Sequence, residues 1–161
     1  MTPDGVVTPW AIYPRFPNPN DGGATTVDSV PTGMAWGPDG ALYVGFETGG
    51  PFPVGGSSVV RLSDNNGDGD ALDAGEMTTV ADGLTTVTAI AFDHDGSLLV
   101  LEFRGFLVHE DATSGRVVCV RDGAMEVVAS GLVTPTGLAV GPDGALYVAQ
   151  EYIGVIARIS Q

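Results

Sequence analysis

Lysine is absent from this 161-residue chain, and its six cationic side chains, all arginine, face 20 aspartates and glutamates. A formal charge of -14 repels phosphate backbones and anionic lipid surfaces, which argues against nucleic acid as a partner and leaves cations or neutral ligands. The same charge also serves solubility in a salty or extracellular setting. Cysteine occurs once, at Cys119, so no intrachain disulfide and no two-cysteine metal or redox motif is available. Within Val117-Val118-Cys119-Val120 that thiol reads as a buried, inert strand residue. No apolar run approaches the roughly 18 residues of a membrane helix. Met1 to Gly5 has neither the basic nor the apolar region of a signal peptide, so an exported form would have lost its leader already. The sequence holds no Gly-x-Ser-x-Gly elbow, no His-Glu-x-x-His and no phosphate loop.

Turns and apolar residues are plentiful. With 24 glycines, 11 prolines and 43% hydrophobic residues, the composition is that of an all-β globular chain with room for one domain. One octamer occurs twice unchanged, Gly37-Pro38-Asp39-Gly40-Ala41-Leu42-Tyr43-Val44 and Gly141-Pro142-Asp143-Gly144-Ala145-Leu146-Tyr147-Val148, each after Pro-Thr-Gly and a short apolar run. Proline suits the second place of a type I turn and glycine the left-handed place that closes it, so each copy predicts a hairpin. A looser copy around Asp93-His94-Asp95-Gly96 puts the three turns 56 and 48 residues apart, a propeller-blade period.

Strand patterns around these turns predict a blade over 31–81, a second over 87–129 and a partial, three-stranded blade over 135–160. Val6 to Tyr13, within 5–13, predicts one further strand at an edge, where Pro9 tolerates a missing donor. The fold class expected is thus all-β, a half propeller of three four-stranded blades. Three blades do not close a ring, so a homodimer is expected to complete a six-bladed propeller, with the N-terminal strand of one copy finishing the last blade of the other.

Val30-Pro31-Thr32-Gly33 through Tyr43-Val44-Gly45, the Pro51-Phe52-Pro53-Val54-Gly55 crossing, Asp95 to Glu102, and Val128 to Ala139 together resemble the second half of the ScyD/ScyE family. That family belongs to a wider NHL-like and gluconolactonase-like group of secreted propellers. The resemblance implies a six-bladed fold and an extracellular or periplasmic location, with no defined reaction to transfer. Family members are about twice this length, and the Gly-Asp-Gly insertion at 63–76 departs from their pattern.

That insertion is the sharpest chemical signal. Asp64, Asn66, Asp68 and Asp70 alternate as in a calcium loop, with Gly69 at the sharp bend, while Asp73 and Glu76 stand near the place of the closing ligand. Calcium is therefore the expected ion, in a structural role, with a merely solvated acidic hairpin as the other reading. A second candidate is a ring of acids at a channel mouth: Glu47, Glu102 and Glu151 each end the second strand of a blade. Glu47 and Glu151 lie seven residues after their turn glycines and Glu102 six, which turns Glu102 to the other face unless a bulge intervenes. His94 reads as a solvated turn residue, and His109 as a loop residue among acids that could serve as ligand or base. Trp10, Trp36, Tyr43 and Tyr147 read as packing residues on strands.

Two functional classes follow. One is a non-catalytic scaffold or binding module, its channel taking a small molecule or a protein. The other is a metal-dependent lactonase or hydrolase, in which an ion at the acidic mouth polarises a carbonyl.

Overall fold

The computed structural model describes residues 5–20, 23–105 and 111–160. His109 lies outside them.

Each predicted turn is a hairpin. Gly37 N–H donates to the Ala41 carbonyl at 2.8 Å and Gly40 N–H to the Gly37 carbonyl at 3.0 Å, with Gly40 at φ +79°, a conformation cheap only for glycine. The turns at Asp93–Ser97 and Gly141–Ala145 repeat both bonds. Each hairpin opens a meander. β3 (Ser29–Trp36), β4 (Leu42–Thr48), β5 (Ser57–Leu62) and β6 (Met77–Leu84) form the first antiparallel four-stranded sheet. β7 (Val87–Phe92), β8 (Leu98–Glu102), β9 (Gly115–Arg121) and β10 (Ala124–Leu132) form the second. β11 (Pro135–Val140), β12 (Leu146–Gln150) and β13 (Val155–Ile159) form a three-stranded third. The chain is all-β and arranged as a half propeller. A 3-10 turn, Glu151–Ile153, joins β12 to β13.

The blades stack through their inner strands, with β7 beside both β3 and β11. Sandwiched in this way, β8 has neighbours on both faces, and its Leu98-Leu99-Val100-Leu101 run is apolar at every position and wholly buried. Val100 and Val118 face the first blade, joining Val59, Leu84 and Ile90. Leu99, Leu101 and Val117 face the third, joining Leu132, Leu146 and Val148. Each Val or Leu so buried stabilises the fold by about 1.5–3 kcal/mol relative to exposure.

Before the blades, β1 (Phe16–Pro17) and β2 (Thr26–Val27) pair in a short hairpin. Val6 to Tyr13, predicted as a strand, belongs to no ladder in this chain. Its path is nonetheless fixed, because Trp10, Ala11 and Tyr13 pack on the side of the first blade turned away from the second, over Val44, Phe46, Val60 and Leu62. The Tyr13 and Phe16 rings both meet Phe46 edge-on, with centroids 4.3 and 5.2 Å away. Ala71, from the acidic insertion, completes this cluster and donates its N–H to the Trp10 carbonyl at 2.8 Å. The insertion thereby anchors the N-terminal segment.

Candidate functional site

The ladders decide the acid ring. Pro31 pairs with Phe46, Val87 with Glu102 and Pro135 with Gln150, so Phe46, Glu102 and Gln150 are equivalent positions in successive blades. Glu47 and Glu151 each follow that position by one, where the second blade has Phe103. The three acids therefore do not form one ring, and Glu102 stands outside it. Its side chain is 0% exposed. One oxygen accepts the Thr85 N–H at 2.6 Å and lies 3.6 Å from Arg104 Nη1, while the other accepts from Arg116 Nε. This deeply buried carboxylate is matched by two guanidinium groups and a backbone donor, which makes it a structural group.

Glu47 is half-buried on β4, and burial pushes its carboxyl above the ordinary carboxylate range. Glu151 is exposed at the start of the 3-10 turn. Glu47 thus combines partial solvent access with a carboxyl raised by burial.

In the acidic insertion the oxygens largely serve the loop's own backbone. Asp64 accepts from Gly67 N at 2.6 Å and Gly69 N at 2.9 Å, Asn66 from Asp68 N at 2.9 Å, and Asp70 from Leu72 N at 3.0 Å. The Asn66 amide donates to Asp68 at 3.0 Å and to Asp73 at 2.6 Å. Glu76, only 2% exposed, accepts from Asn65 N at 2.8 Å and Asp73 N at 3.1 Å and so ties the two ends of the loop together. Among the described residues no three His, Cys, Asp or Glu side chains are grouped to hold a metal. Glu76 closes this loop from inside, while the carboxylates of Asp64, Asp68 and Asp70 each accept backbone N–H bonds and retain further lone pairs for a cation.

The turn aspartates share a third arrangement that went unread in the sequence. Asp39 binds Ala41 N at 3.2 Å and Arg61 Nε at 2.6 Å; Asp143 binds Ala145 N at 3.2 Å and Arg158 Nη2 at 2.7 Å. Asp95 holds Ser97 N at 2.9 Å and the Arg121 guanidinium. For Asp39 and Asp143 the arginine bond is the main cause, and for Asp95 the Ser97 backbone bond, that holds the carboxyl below its usual range. With Arg15 on Asp28 at 3.0 Å, all six arginines sit in ion pairs. A signal for this was present: every blade has an Asp three residues before its second strand's first apolar residue and an Arg in or ending its third strand.

His94 is exposed in its turn, its N–H bonded to the Asp93 carboxylate at 2.7 Å. Cys119 is partly buried and packs in the cluster between the second and third blades. A cleft of about 450 Å³ opens between the β1–β2 hairpin and the first blade, lined by Phe16, Pro17, Gly56, Ser57 and Asp82. Another, of about 370 Å³, lies between the first and second blades beside Tyr43, Phe92 and Arg121. Neither contains Glu47, Glu102 or Glu151.

No protein-family profile and no curated protein matches the sequence. Solved structures do resemble the fold. One is an X-ray structure of a gluconolactonase candidate, similar with a TM-score of 0.53 and 19% identity over 81% of this chain and 44% of that one. Another is a catalytically inactive variant of virginiamycin B lyase from Staphylococcus aureus with quinupristin, at a TM-score of 0.47 and 19% identity over 89% of this chain and 43% of that one. The chain spans less than half the length of either. The first of these likenesses supports the half-propeller fold.

Proposed function

We propose that the protein is a non-catalytic propeller scaffold or binding module that works as a closed six-bladed ring of two copies. The observation that carries this reading is the use of its ionisable residues. Glu102 is tied to Arg116, Arg104 and Thr85; Asp39, Asp95 and Asp143 each clamp an arginine to a hairpin; Asp64, Asn66 and Glu76 shape their own loop. Groups already held by cations and backbone donors support architecture better than proton transfer. On this proposal the channel of the ring takes a small molecule or a protein segment. On the same proposal calcium would be held by the 64–76 loop, through Asp64, Asp68 and Asp70, as a structural ion. Membership of the ScyD/ScyE family, with export from the cytoplasm, rests on the motif resemblance.

A metal-dependent lactonase is the second reading. It is favoured by one observation, the half-buried Glu47 carboxyl whose affinity for its proton is raised by burial. Turnover of a panel of lactones and esters, with and without millimolar calcium, tests both. The scaffold reading expects rates no higher than buffer. Turnover that is lost in Glu47→Gln or Glu151→Gln would replace it with the enzyme.

A further inference from the structure

The blade-to-blade interface is built twice inside the chain, and its two halves are left open at the ends of the stack. Where the first blade meets the second, Gly33, Ala35, Tyr43, Gly45 and Val59 form a flat face that receives β7. The approach is close. A Cβ on Gly33 would lie 2.8 Å from the Ala89 Cα, and one on Gly45 would lie 2.7 Å from the Val87 side chain and 3.0 Å from that of Ile90. Phe92 meets the Tyr43 ring edge-on, with centroids 4.8 Å apart. Thr32 Oγ1 donates to the Val87 carbonyl at 2.7 Å. The next junction repeats this clasp, with Thr88 Oγ1 donating to the Pro135 carbonyl at 3.0 Å.

The third blade carries the same flat face, with no described residue of another blade packed on it. By register, Gly137, Ala139, Tyr147, Ala149 and Ile156 take the places of Gly33, Ala35, Tyr43, Gly45 and Val59. Val59 is 0% exposed, whereas Ile156 is 67% exposed. A Cβ on Gly137 would meet only Ala149, at 3.4 Å. Thr136, the equivalent of Thr32 and Thr88, makes no side-chain hydrogen bond among the described residues.

The complementary half lies open on the first blade. Met34 and Trp36 stand opposite Val44 and Leu42, on the side away from the second blade, where the second blade has Ile90 and Phe92. Ile90 is 6% exposed, whereas Met34 and Trp36 are each 68% exposed. The surrounding cleft is also half built. Between the first two blades it is walled by Val80, Phe92 and Tyr43. On the first blade's open side a cleft of about 420 Å³ has Trp36 in Phe92's place and Trp10 where Val80 stands, with no counterpart of Tyr43.

We propose that a second copy of this chain seats one open half on the other, so that Met34 and Trp36 fill the Gly137–Ala149 face of the partner subunit and Trp36 packs edge-on against Tyr147 of the partner subunit. Thr136 then donates to the Pro31 carbonyl across the interface, as Thr32 and Thr88 do within the chain. Two identical junctions related by a two-fold axis complete both chains. This rests on the ring reading above and specifies its surface.

Sedimentation equilibrium on the wild type, Trp36→Asp, Gly137→Val and a control, Met125→Gln on β10, tests it, with circular dichroism checking that each is folded. The wild type and the control should be dimers, with both face variants associating at least tenfold more weakly. Gly137→Val is the decisive variant if Trp36→Asp misfolds, since the isolated third blade has room for its side chain. A dimer unaffected by both variants overturns the proposed surface and the ring closed through it, while leaving self-association standing. A wild-type monomer overturns both and assigns the open faces to a different polypeptide.

Discussion

Glu102 and Gln150 occupy the same ladder position in the second and third blades, and each accepts the N–H of the residue two before it pairs: Thr85 to Glu102 at 2.6 Å and Val133 to Gln150 at 2.6 Å. In both connections the next residue, Thr86 or Thr134, is held with a left-handed φ, 52° and 43°. The side-chain oxygen secures a strained crossing between blades, a task that an amide performs as well as a carboxylate.

Glu102→Gln should therefore be mild and Glu102→Leu severe. The amide keeps an acceptor for Thr85 and weakens only the ionic pairing to Arg116 and Arg104, for a loss of about 1–2 kcal/mol. Leucine removes the acceptor and leaves the guanidinium groups without their buried partner, for a loss of about 3–5 kcal/mol. Urea unfolding of the two variants measures the difference, and equal losses would contradict this role.

Tyr13 gives a prediction in alkaline solution. Its hydroxyl is buried against the first blade without a hydrogen-bond partner among the described residues, and burial pushes its pKa up to about 12 from 10.0. The folded state holds this proton more tightly than the unfolded chain, so the contribution is complete below pH 10 and is lost as pH rises toward 12. Allowing for solvent screening of a half-exposed ring, the loss is about 1 kcal/mol. Tyr13→Phe should remove that loss and, by deleting an unsatisfied hydroxyl, gain about 1 kcal/mol at pH 7. Denaturant titrations of both proteins at pH 7, 9 and 11 check the sign.

For the acidic loop, calcium should raise the melting temperature by mass action without changing the assembly, and Asp68→Ala should abolish the increment. An unchanged calcium response in Asp68→Ala would place the ion elsewhere. Glu76→Gln tests the loop without any metal. Exchanging one of the buried oxygens that bind Asn65 and Asp73 for an amide donor should cost about 1–3 kcal/mol.

Much of the architecture was legible because turn chemistry is local. Gly-Pro-Asp-Gly dictates its hairpin from four residues, and a strand flanked on both sides, such as Leu98 to Leu101, announces itself as an unbroken apolar run. The N-terminal segment, read as a strand, joins no ladder in this chain, where Trp10, Ala11 and Tyr13 pack side-on against the first blade. For the three channel-mouth acids the register decides. A bulge occurs near the start of each inner strand, between Pro31 and Gly33, Val87 and Ala89, and Pro135 and Gly137, but the one-residue offset of Glu102 from Glu47 and Glu151 survives it. The spacing to the turn glycines held that information. Which turn aspartate meets which arginine was carried only by a pattern repeated across strands, since those pairs lie 15 to 26 residues apart in the chain, as in Asp143–Arg158 and Asp95–Arg121.

The N-terminal segment carries a prediction of its own. It lies on the open side of the first blade, where the outer strand of a preceding blade belongs, and leaves Val7 and Ile12 exposed at 91% and 65%. In the ring it would border β13 of the partner subunit. Removing residues 1–14 should uncover Phe46 and leave that strand edge unpaired, giving dissociation or aggregation, which dynamic light scattering reads directly. A dimer that tolerates the deletion would contradict that placement.

The central claim, that two half propellers complete one ring, is tested most directly by the mass of the wild-type chain in solution. Multi-angle light scattering at micromolar concentration should return twice the 16.4 kDa of one chain. A well-behaved particle of 16.4 kDa would contradict the account.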